Sequence, residues 1–227
     1  MGDGRENLIY RRFIKRLLDL LLAVPALIIL LLPLIIIGMI VKLTSKGPAL
    51  FIQERYGKGS KPFNLYKFRS MTDKAPVKAN SEFDDITSYV TSFGMFIRKT
   101  SIDELPQLWN IVKGDMSFIG PRPLAKTDEQ VLSLRKSNGA ATVLPGISGL
   151  AQVNGRNNLS DEDKAAYDAK YAALISFRVD ILLTFETFVS VMKRDGVFKE
   201  TVIDDNSELE EEVVRHDEES VDVSSKS

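Results

Sequence analysis

An uncharged apolar run near the N-terminus limits what this chain can fold into more than any other feature. Residues 20–41 include 22 consecutive positions without a formal charge. As α-helix this run would be about 33 Å long, which matches the ~30 Å hydrocarbon core of a bilayer. The run is too long for the apolar part of a signal peptide, and no small-residue cleavage site follows it. The sequence therefore predicts a membrane helix that remains in the mature protein.

Two features bear on the course of this helix through the bilayer. Pro25 and Pro33 each remove a backbone donor, so we expect a bend or a break near the middle of the run. Both flanks are basic, and the positive-inside tendency would place both in the cytoplasm. These basic residues are Arg11, Arg12, Lys15, Arg16, Lys42 and Lys46. A helix–break–helix that enters and returns satisfies both features, whereas a kinked spanning helix is also permitted because membrane helices tolerate proline.

The composition excludes several kinds of active site. The chain has no cysteine, so it can offer neither a disulfide framework nor a thiolate nucleophile nor a cysteine zinc site. Its single histidine, His216, lies in an acidic tail, which leaves no Ser-His-Asp triad and no multi-histidine metal site. Any chemistry must rest on carboxylate, Lys, Arg, Ser, Thr or Tyr side chains.

The net charge of −1 hides a strong asymmetry along the chain. Residues 204–227 contain ten acidic side chains against Arg215 and Lys226, which leaves 28 basic and 21 acidic side chains, a net charge of +7, in residues 1–203. A basic body beside a membrane suits anionic lipids, nucleoside diphosphates and polyprenyl phosphates alike. The acidic tail has few large apolar residues and is predicted to be disordered.

The part between the membrane helix and the tail predicts short strands mixed with helices. Extended stretches are expected at 48–52 and 62–68, and helices at 93–99, 101–114, 161–176 and 178–194. Residues 74–92 are predicted to form a polar surface loop, and the Gly/Pro-rich residues 144–158 a loop platform.

The last predicted helix carries apolar residues at spacings of three to four. Two interpretations are open: packing in a core, which is the commoner fate of such a stripe, and an amphipathic helix that rests in the lipid interface. The stripe comprises Ile181, Leu182, Phe185, Phe188, Val189 and Met192.

Two adjacent carboxylates, Asp103 and Glu104, lie at a predicted helix start. Carboxylates there meet the positive end of the helix dipole and can also bind a Mg²⁺ ion. Ser101 and Glu104 have the spacing of a capping box, so an isolated string of this kind would more often be structural.

The context of the two carboxylates resembles a known family. TSIDELPQLWN is followed by GDMSFIGPRP and then by PGISGLAQVNGRN. In this order and spacing, from about residue 11 to residue 196, the segments are similar to the bacterial sugar transferases, the small monotopic phosphoglycosyl transferases. The resemblance implies a re-entrant membrane hairpin, with Pro33 the favoured break.

The resemblance also implies roles for individual residues. Asp103 would be the nucleophile and a Mg²⁺ ligand, and Glu104 its partner in a catalytic dyad. The implied substrate-binding residues are Lys67, Arg69, Arg98, Pro121, Arg122, Pro123 and Arg156. An arginine suits phosphate because its planar fork holds two oxygens, and Arg122 is pre-organised by the proline on either side.

These observations together predict an α+β fold: a membrane anchor over 1–46, a mainly helical catalytic domain with short strands and amphipathic interfacial helices over 47–200, and an acidic tail over 201–227. The predicted reaction moves a phospho-sugar from a UDP-sugar to undecaprenyl phosphate, through an aspartyl intermediate and with release of UMP, in membrane glycoconjugate assembly. The expected location is the cytoplasmic face of the bacterial inner membrane. Membrane lipids and downstream glycosyl transferases are the other expected partners, and nucleic acid is not expected. The open alternatives are a membrane phosphohydrolase and a non-catalytic scaffold for glycan-assembly enzymes.

Overall fold

The computed structural model describes residues 8–72, 89–155 and 159–192. A π-helical turn, Tyr10–Ile14, leads directly into helix α1, Lys15–Thr44. Within the described residues, one helical stretch, Tyr10–Thr44, is long and apolar enough to cross a membrane. This stretch confirms the predicted apolar helix.

Helix α1 continues through Pro25 and Pro33. The predicted division into two helices at Pro33 is therefore wrong at the level of secondary structure. A proline costs a helix one backbone hydrogen bond, and the turns on either side keep theirs. The re-entrant course of the helix remains a prediction.

One face of α1 packs against the rest of the chain along the whole length of the helix. Apart from the adjacent Ala26 and Leu27, the main buried and half-buried residues of this face recur at spacings of three or four, as one helical stripe requires. They include Lys15, Asp19, Ala23, Ala26, Leu27, Leu30, Leu34, Ile37 and Val41. The opposite face is apolar and exposed, with Ile28 and Ile29 exposed by 69% and 74%.

Strands β1, Leu50–Tyr56, and β2, Pro62–Phe68, form an antiparallel hairpin in which Leu50 pairs with Phe68 and Tyr56 with Pro62. The second strand matches its predicted bounds, and the first extends four residues beyond residue 52. Helix α2, Ser92–Lys99, follows as predicted, and the Thr91 hydroxyl caps it by accepting a hydrogen bond from the Gly94 N–H at 2.9 Å. Most of the loop predicted over 74–92 lies outside the described residues.

The segment that follows α2 bends sharply before the next helix. Ser101 adopts a left-handed backbone with φ 55°, a 3₁₀ turn covers Ile102–Glu104, and α3 runs over Gln107–Lys113. The helix ends at Gly114, as predicted, and the φ of 92° there is one that glycine adopts at little steric cost.

Two three-residue strands pair in parallel: β3, Ser117–Ile119, and β4, Gly146–Ser148. Glycines make this approach possible, because a Cβ at Gly120 would lie 2.3 Å from the Leu144 carbonyl oxygen and one at Gly146 would lie 2.1 Å from the Gly120 nitrogen. Residues 144–158 are therefore not only a loop, since they contain β4 and a short helix α5, Leu150–Val153. Helix α4, Glu129–Ser137, lies between the two strands in sequence and was not predicted.

The two C-terminal helices, α6, Asp161–Leu174, and α7, Phe177–Met192, match their predicted positions to within two residues. Core packing is the wrong interpretation for the main part of the α7 stripe, because its side chains are 51–66% exposed. These are Ile181, Leu182, Phe185 and Phe188. The α7 residues that pack inward include Asp180, Leu183 and the half-buried Val179. The side chain of Met192 and the acidic tail lie outside what the structure describes.

Candidate active site

Asp103 lies on the 3₁₀ turn between α2 and α3, where its side chain is largely removed from water. It is 9% exposed. Burial, the main cause, and the neighbouring charge of Glu104 both raise the pKa of this carboxyl, which comes to about 6. The positive charges of Lys67 and Arg98 act in the opposite direction. In the described part of the chain, the carboxylate receives a hydrogen bond only from its own backbone N–H.

Glu104 is held by a lysine from the β-hairpin. Lys67, near the end of β2, donates to Glu104 Oε1 at 2.7 Å, and both side chains are about one quarter exposed. The structural alternative for this pair, a capping box, does not form, because Ser101 makes no capping hydrogen bond and its backbone is left-handed. The lysine lies 37 residues before the glutamate, and this long-range ion pair takes the carboxylate away from the helix end.

Arg98 reaches the same region from the last turn of α2. Its Nε donates to Ser70 Oγ at 2.8 Å, which fixes the guanidinium beside the end of β2. Burial lowers the pKa of Arg98, and the charge of Asp103 raises it. The structure thus brings four of the sequence-predicted site residues together: Lys67, Arg98, Asp103 and Glu104.

Arg69 is not part of this group. Its Nη2 donates to the Ser45 carbonyl oxygen at 2.8 Å, at the end of the membrane helix, and a Cβ at Gly47 would collide with its guanidinium. The side chain ties the anchor to the residue that follows β2, and its predicted substrate contact stays a prediction. Arg156 lies outside the described residues, and its predicted contact with the nucleotide sugar stays a prediction.

The Pro121–Arg122–Pro123 tripeptide presents its arginine to solvent between two buried prolines. Arg135 on α4 holds this backbone, because its Nη1 donates to the Arg122 carbonyl at 2.8 Å and its Nε to Asp168 at 2.7 Å. The side chain of Arg122 remains available to a ligand while its backbone is fixed, which is the pre-organisation that the prolines predicted.

Sequence reasoning missed two residues that position the site. Asn110, fully buried on α3, accepts from the Tyr66 N–H at 3.1 Å and donates to the Asn64 carbonyl at 2.7 Å. Its amide therefore satisfies one backbone N–H and one carbonyl group along β2, next to Lys67. Arg16 of the membrane helix caps α3 by donating to the carbonyls of Ile111 and Val112 at 2.6 and 3.0 Å. Only a three-dimensional contact reveals either role.

Comparison with known proteins places this arrangement in a family. The model of the bacterial sugar transferase family matches residues 10–194. The chain belongs to the bacterial sugar transferases. This confirms the resemblance drawn from the three motifs and the enzyme class that it implied.

Several curated relatives are similar over most of the chain. The uncharacterized sugar transferase EpsL of Bacillus subtilis is 41% identical over 81% of this chain and 90% of its own length. A UDP-glucose:undecaprenyl-phosphate glucose-1-phosphate transferase of Klebsiella pneumoniae is 41% identical over 76% of this chain and 39% of its own length. A UDP-N-acetylgalactosamine-undecaprenyl-phosphate N-acetylgalactosaminephosphotransferase of Aeromonas hydrophila is 39% identical over 81% and 45%. The chain thus spans less than half the length of the latter two relatives, which are named for different sugars.

Proposed function

We propose that this protein transfers a phospho-sugar from a UDP-sugar to undecaprenyl phosphate and releases UMP. The observation that carries the proposal is the buried Asp103 beside Glu104, with Lys67 and Arg98 around it, in a chain whose named relatives act on UDP-sugars and undecaprenyl phosphate. Two different sugars are named among those relatives, so the sugar of this enzyme is left open.

Asp103 acts as the nucleophile in the first half-reaction. One of its carboxylate oxygens attacks the phosphorus that bears the sugar, an O–P bond forms, and the P–O–P bond breaks with its electron pair leaving on UMP. With a pKa of about 6, the carboxyl is mostly ionised near neutral pH. Burial deprives this anion of water, so the carboxylate is poorly solvated before attack.

The second half-reaction returns the enzyme to its starting state. A phosphate oxygen of undecaprenyl phosphate attacks the same phosphorus, the bond between Asp103 and phosphorus breaks, and the carboxylate is regenerated. Lys67 holds Glu104 in place beside the reacting centre, and Arg98 supplies positive charge to the phosphoryl oxygens.

Mg²⁺ fits this site on the chemistry of its donors. Proteins hold Mg²⁺ through one or two carboxylates together with substrate phosphates. The described residues contain no group of three His, Cys, Asp or Glu that could hold a metal by itself. Asp103 would therefore supply the protein oxygen and the diphosphate the others. When bound, the ion would reduce the negative charge that the nucleophile must approach.

The proposal includes a membrane helix whose two ends lie on the same side of the bilayer. The first turns of α1 contact β3 and α7 through Asp19 and Lys15, and its last turn contacts β2 through Val41 and Phe68. A straight spanning helix would bring only one of its ends to a domain on one side. Both basic flanks then face the cytoplasm.

Helix α7 adds a second apolar surface beside the start of the N-terminal helix. Phe177, at its start, makes an edge contact with Tyr10, with the ring centroids 6.1 Å apart. The exposed apolar stripe of α7 thereby continues onto the exposed apolar residues at the start of the N-terminal helix, among them Phe13 and Leu17. An apolar surface of this kind is typical of a helix that lies in a lipid interface.

The reaction is tested with the full chain in nanodiscs, Mg²⁺, a panel of UDP-sugars, and undecaprenyl phosphate. One sugar should give UMP release that depends on acceptor, and a phospho-sugar adduct on the protein when acceptor is left out. Asp103→Asn should lose both, with turnover falling at least about a thousandfold because the nucleophile is gone. Asp161→Asn, at the start of α6 where the half-buried acid pairs with Lys164 of the same helix, is the matched control and should keep turnover. Release of UDP, or wild-type turnover in Asp103→Asn, would contradict the proposal.

The course of the helix is tested separately by cysteine labelling. The chain has no native cysteine, so single cysteines can be placed at Gly2 and at Lys46 without background. In intact cells neither position should react with an impermeant thiol reagent, and both should react after lysis. Reaction at one position alone in intact cells would indicate a spanning helix.

A further inference from the structure

Arg55, near the end of β1, lies on the same face of the hairpin as the lysine of the active site. In an antiparallel pair, opposed residues and every second residue along a strand share a face. Arg55 is opposed to Phe63, and Lys67, four residues beyond Phe63 on the same strand, lies on that face and holds Glu104. Two long basic side chains therefore share one face of the hairpin, and one of them, Lys67, reaches the dyad.

Tyr56, the next residue along β1, connects the hairpin to the segment that contains Arg122. The Tyr56 N–H donates to the Leu124 carbonyl at 2.8 Å in an isolated antiparallel bridge. Leu124 is two residues after Arg122. The bridge therefore places Arg55 beside the Pro121–Arg122–Pro123 tripeptide, although the two arginines are 67 positions apart in sequence.

The guanidinium of Arg55 is oriented by a neutral partner. Its Nε and Nη2 both donate to Gln53 Oε1, at 3.0 and 2.7 Å. Neither Arg55 nor Arg122 forms an ion pair with any described residue. The amide fixes one edge of the Arg55 guanidinium without neutralising its charge.

The electrostatics agree with this geometry. Burial is the main cause that lowers the pKa of Arg55, the charge of Arg122 lowers it further, and the charges of Asp128 and Glu104 act in the opposite direction. Two cations thus repel each other within range of a dyad carboxylate. Repulsion of this kind is relieved by an anion that binds between them.

We propose that Arg55 and Arg122 form a two-arginine clamp for a phosphate group at the edge of the active site, a role that rests on the proposed phosphoglycosyl transfer. Two planar forks can each hold two phosphate oxygens. The group bound is either the diphosphate of the UDP-sugar or the phosphomonoester of the lipid acceptor. In both cases Arg55 is a substrate-binding residue.

The test measures equilibrium binding to the full chain in nanodiscs, with UDP as one probe and farnesyl phosphate as the other. Arg55→Gln should weaken binding of one probe about ten- to a hundredfold, the loss expected when a hydrogen-bonded charged partner is removed. Arg55→Lys should recover only part of this loss, since a lysine cannot form the fork. Gln53→Ala, which keeps the charge and releases the guanidinium, should cause a smaller loss of the same probe. Lys58→Gln, an exposed lysine in the turn of the same hairpin, is the matched control and should bind both probes like wild type.

The two probes separate the two sources of phosphate. A loss confined to UDP, with uridine binding unchanged, assigns the clamp to the donor diphosphate, and a loss confined to farnesyl phosphate assigns it to the acceptor. If Arg55→Lys and Arg55→Gln have thermal stability near wild type and bind both probes like Lys58→Gln, the clamp is refuted. Binding needs no turnover, so a wild type that binds UDP but never releases UMP would refute the reaction and leave the clamp intact.

Discussion

Two buried carboxylates in this protein have opposite surroundings. Asp180, on α7, accepts from Lys15 Nζ and the Tyr10 hydroxyl at 2.6 Å each, and from the Tyr171 hydroxyl at 2.8 Å. Asp103 is buried to a similar extent, 9% exposed against 7% for Asp180. Among the described residues, however, Asp103 has cations nearby and no hydrogen bond from another residue.

The difference shows how burial serves two purposes in one small domain. Asp180 joins the membrane helix to α6 and α7, and its oxygens are occupied by three partners, which is how proteins retain buried charge. No other described residue donates a hydrogen bond to Asp103, so in the proposed mechanism its oxygens are available to a phosphorus atom or a metal ion. An incompletely satisfied carboxylate is destabilising, and functional sites commonly carry that cost.

The largest expected effect on stability comes from removing one partner of the buried Lys15–Asp180 pair. Lys15→Met leaves Asp180 without its cation, so we expect a loss of about 3–5 kcal/mol in the free energy of unfolding. The Lys67→Met substitution removes the cation of the partly exposed pair with Glu104 and should cost no more than about 1 kcal/mol. Denaturant unfolding of both variants in the same detergent measures the difference.

A double variant controls for the loss of packing. Lys15→Met combined with Asp180→Asn removes both charges and should recover much of the stability lost in Lys15→Met alone. Equal losses in Lys15→Met and Lys67→Met would mean that the Asp180 network contributes no more to stability than the partly exposed Lys67–Glu104 pair.

A smaller effect on stability, of opposite sign, is expected from replacing Asp103. Between the ordinary pKa of 3.8 and about 6, folded Asp103 holds a proton that the unfolded chain has released, so its contribution to stability falls as pH rises through this range. Asp103→Asn escapes this penalty. With Mg²⁺ chelated, the variant should match wild type at about pH 4 and exceed its stability by about 2–3 kcal/mol above pH 6, taking about 1.4 kcal/mol per pKa unit.

Thermal unfolding of both proteins across this pH range provides the measurement. Other titrating groups contribute to both curves and cancel in the difference. A stability difference that is constant from pH 4 to pH 8 would contradict the assignment of a raised pKa to Asp103.

Local patterns predicted some elements well and others not at all. The apolar run, the second hairpin strand, the two C-terminal helices and the stop at Gly114 each follow from residues close together in sequence. Strands β3 and β4 were missed because three residues are too few for a periodic signal, and the glycines around them resemble a loop. The exposure of the α7 stripe could not be read from its period, which is the same for a core and a lipid interface.

The candidate site also contains residues that local motifs predicted and residues whose contacts only the structure reveals. The residues proposed for catalysis, Asp103 and Glu104, were picked out because short motifs around them occur in the order typical of the family. Such motifs indicate a chemistry and say nothing of the geometry. The capping-box alternative could be rejected only in three dimensions, where Ser101 is left-handed and Glu104 pairs with a lysine from a distant strand. Arg69 binds the end of the membrane helix, and the importance of Asn110 depends on the edge of a strand 44 residues earlier.

By itself the sequence determined that the protein has a long apolar helix, a basic body and a sugar transferase motif set, because length, charge and order are properties of the chain. Only the tertiary structure decided which charges are compensated. Lys15 meets Asp180 across 165 positions, and Arg55 comes beside Arg122 through one bridge between β1 and a loop. Pairings over such separations depend on how the chain closes, and no local pattern specifies them.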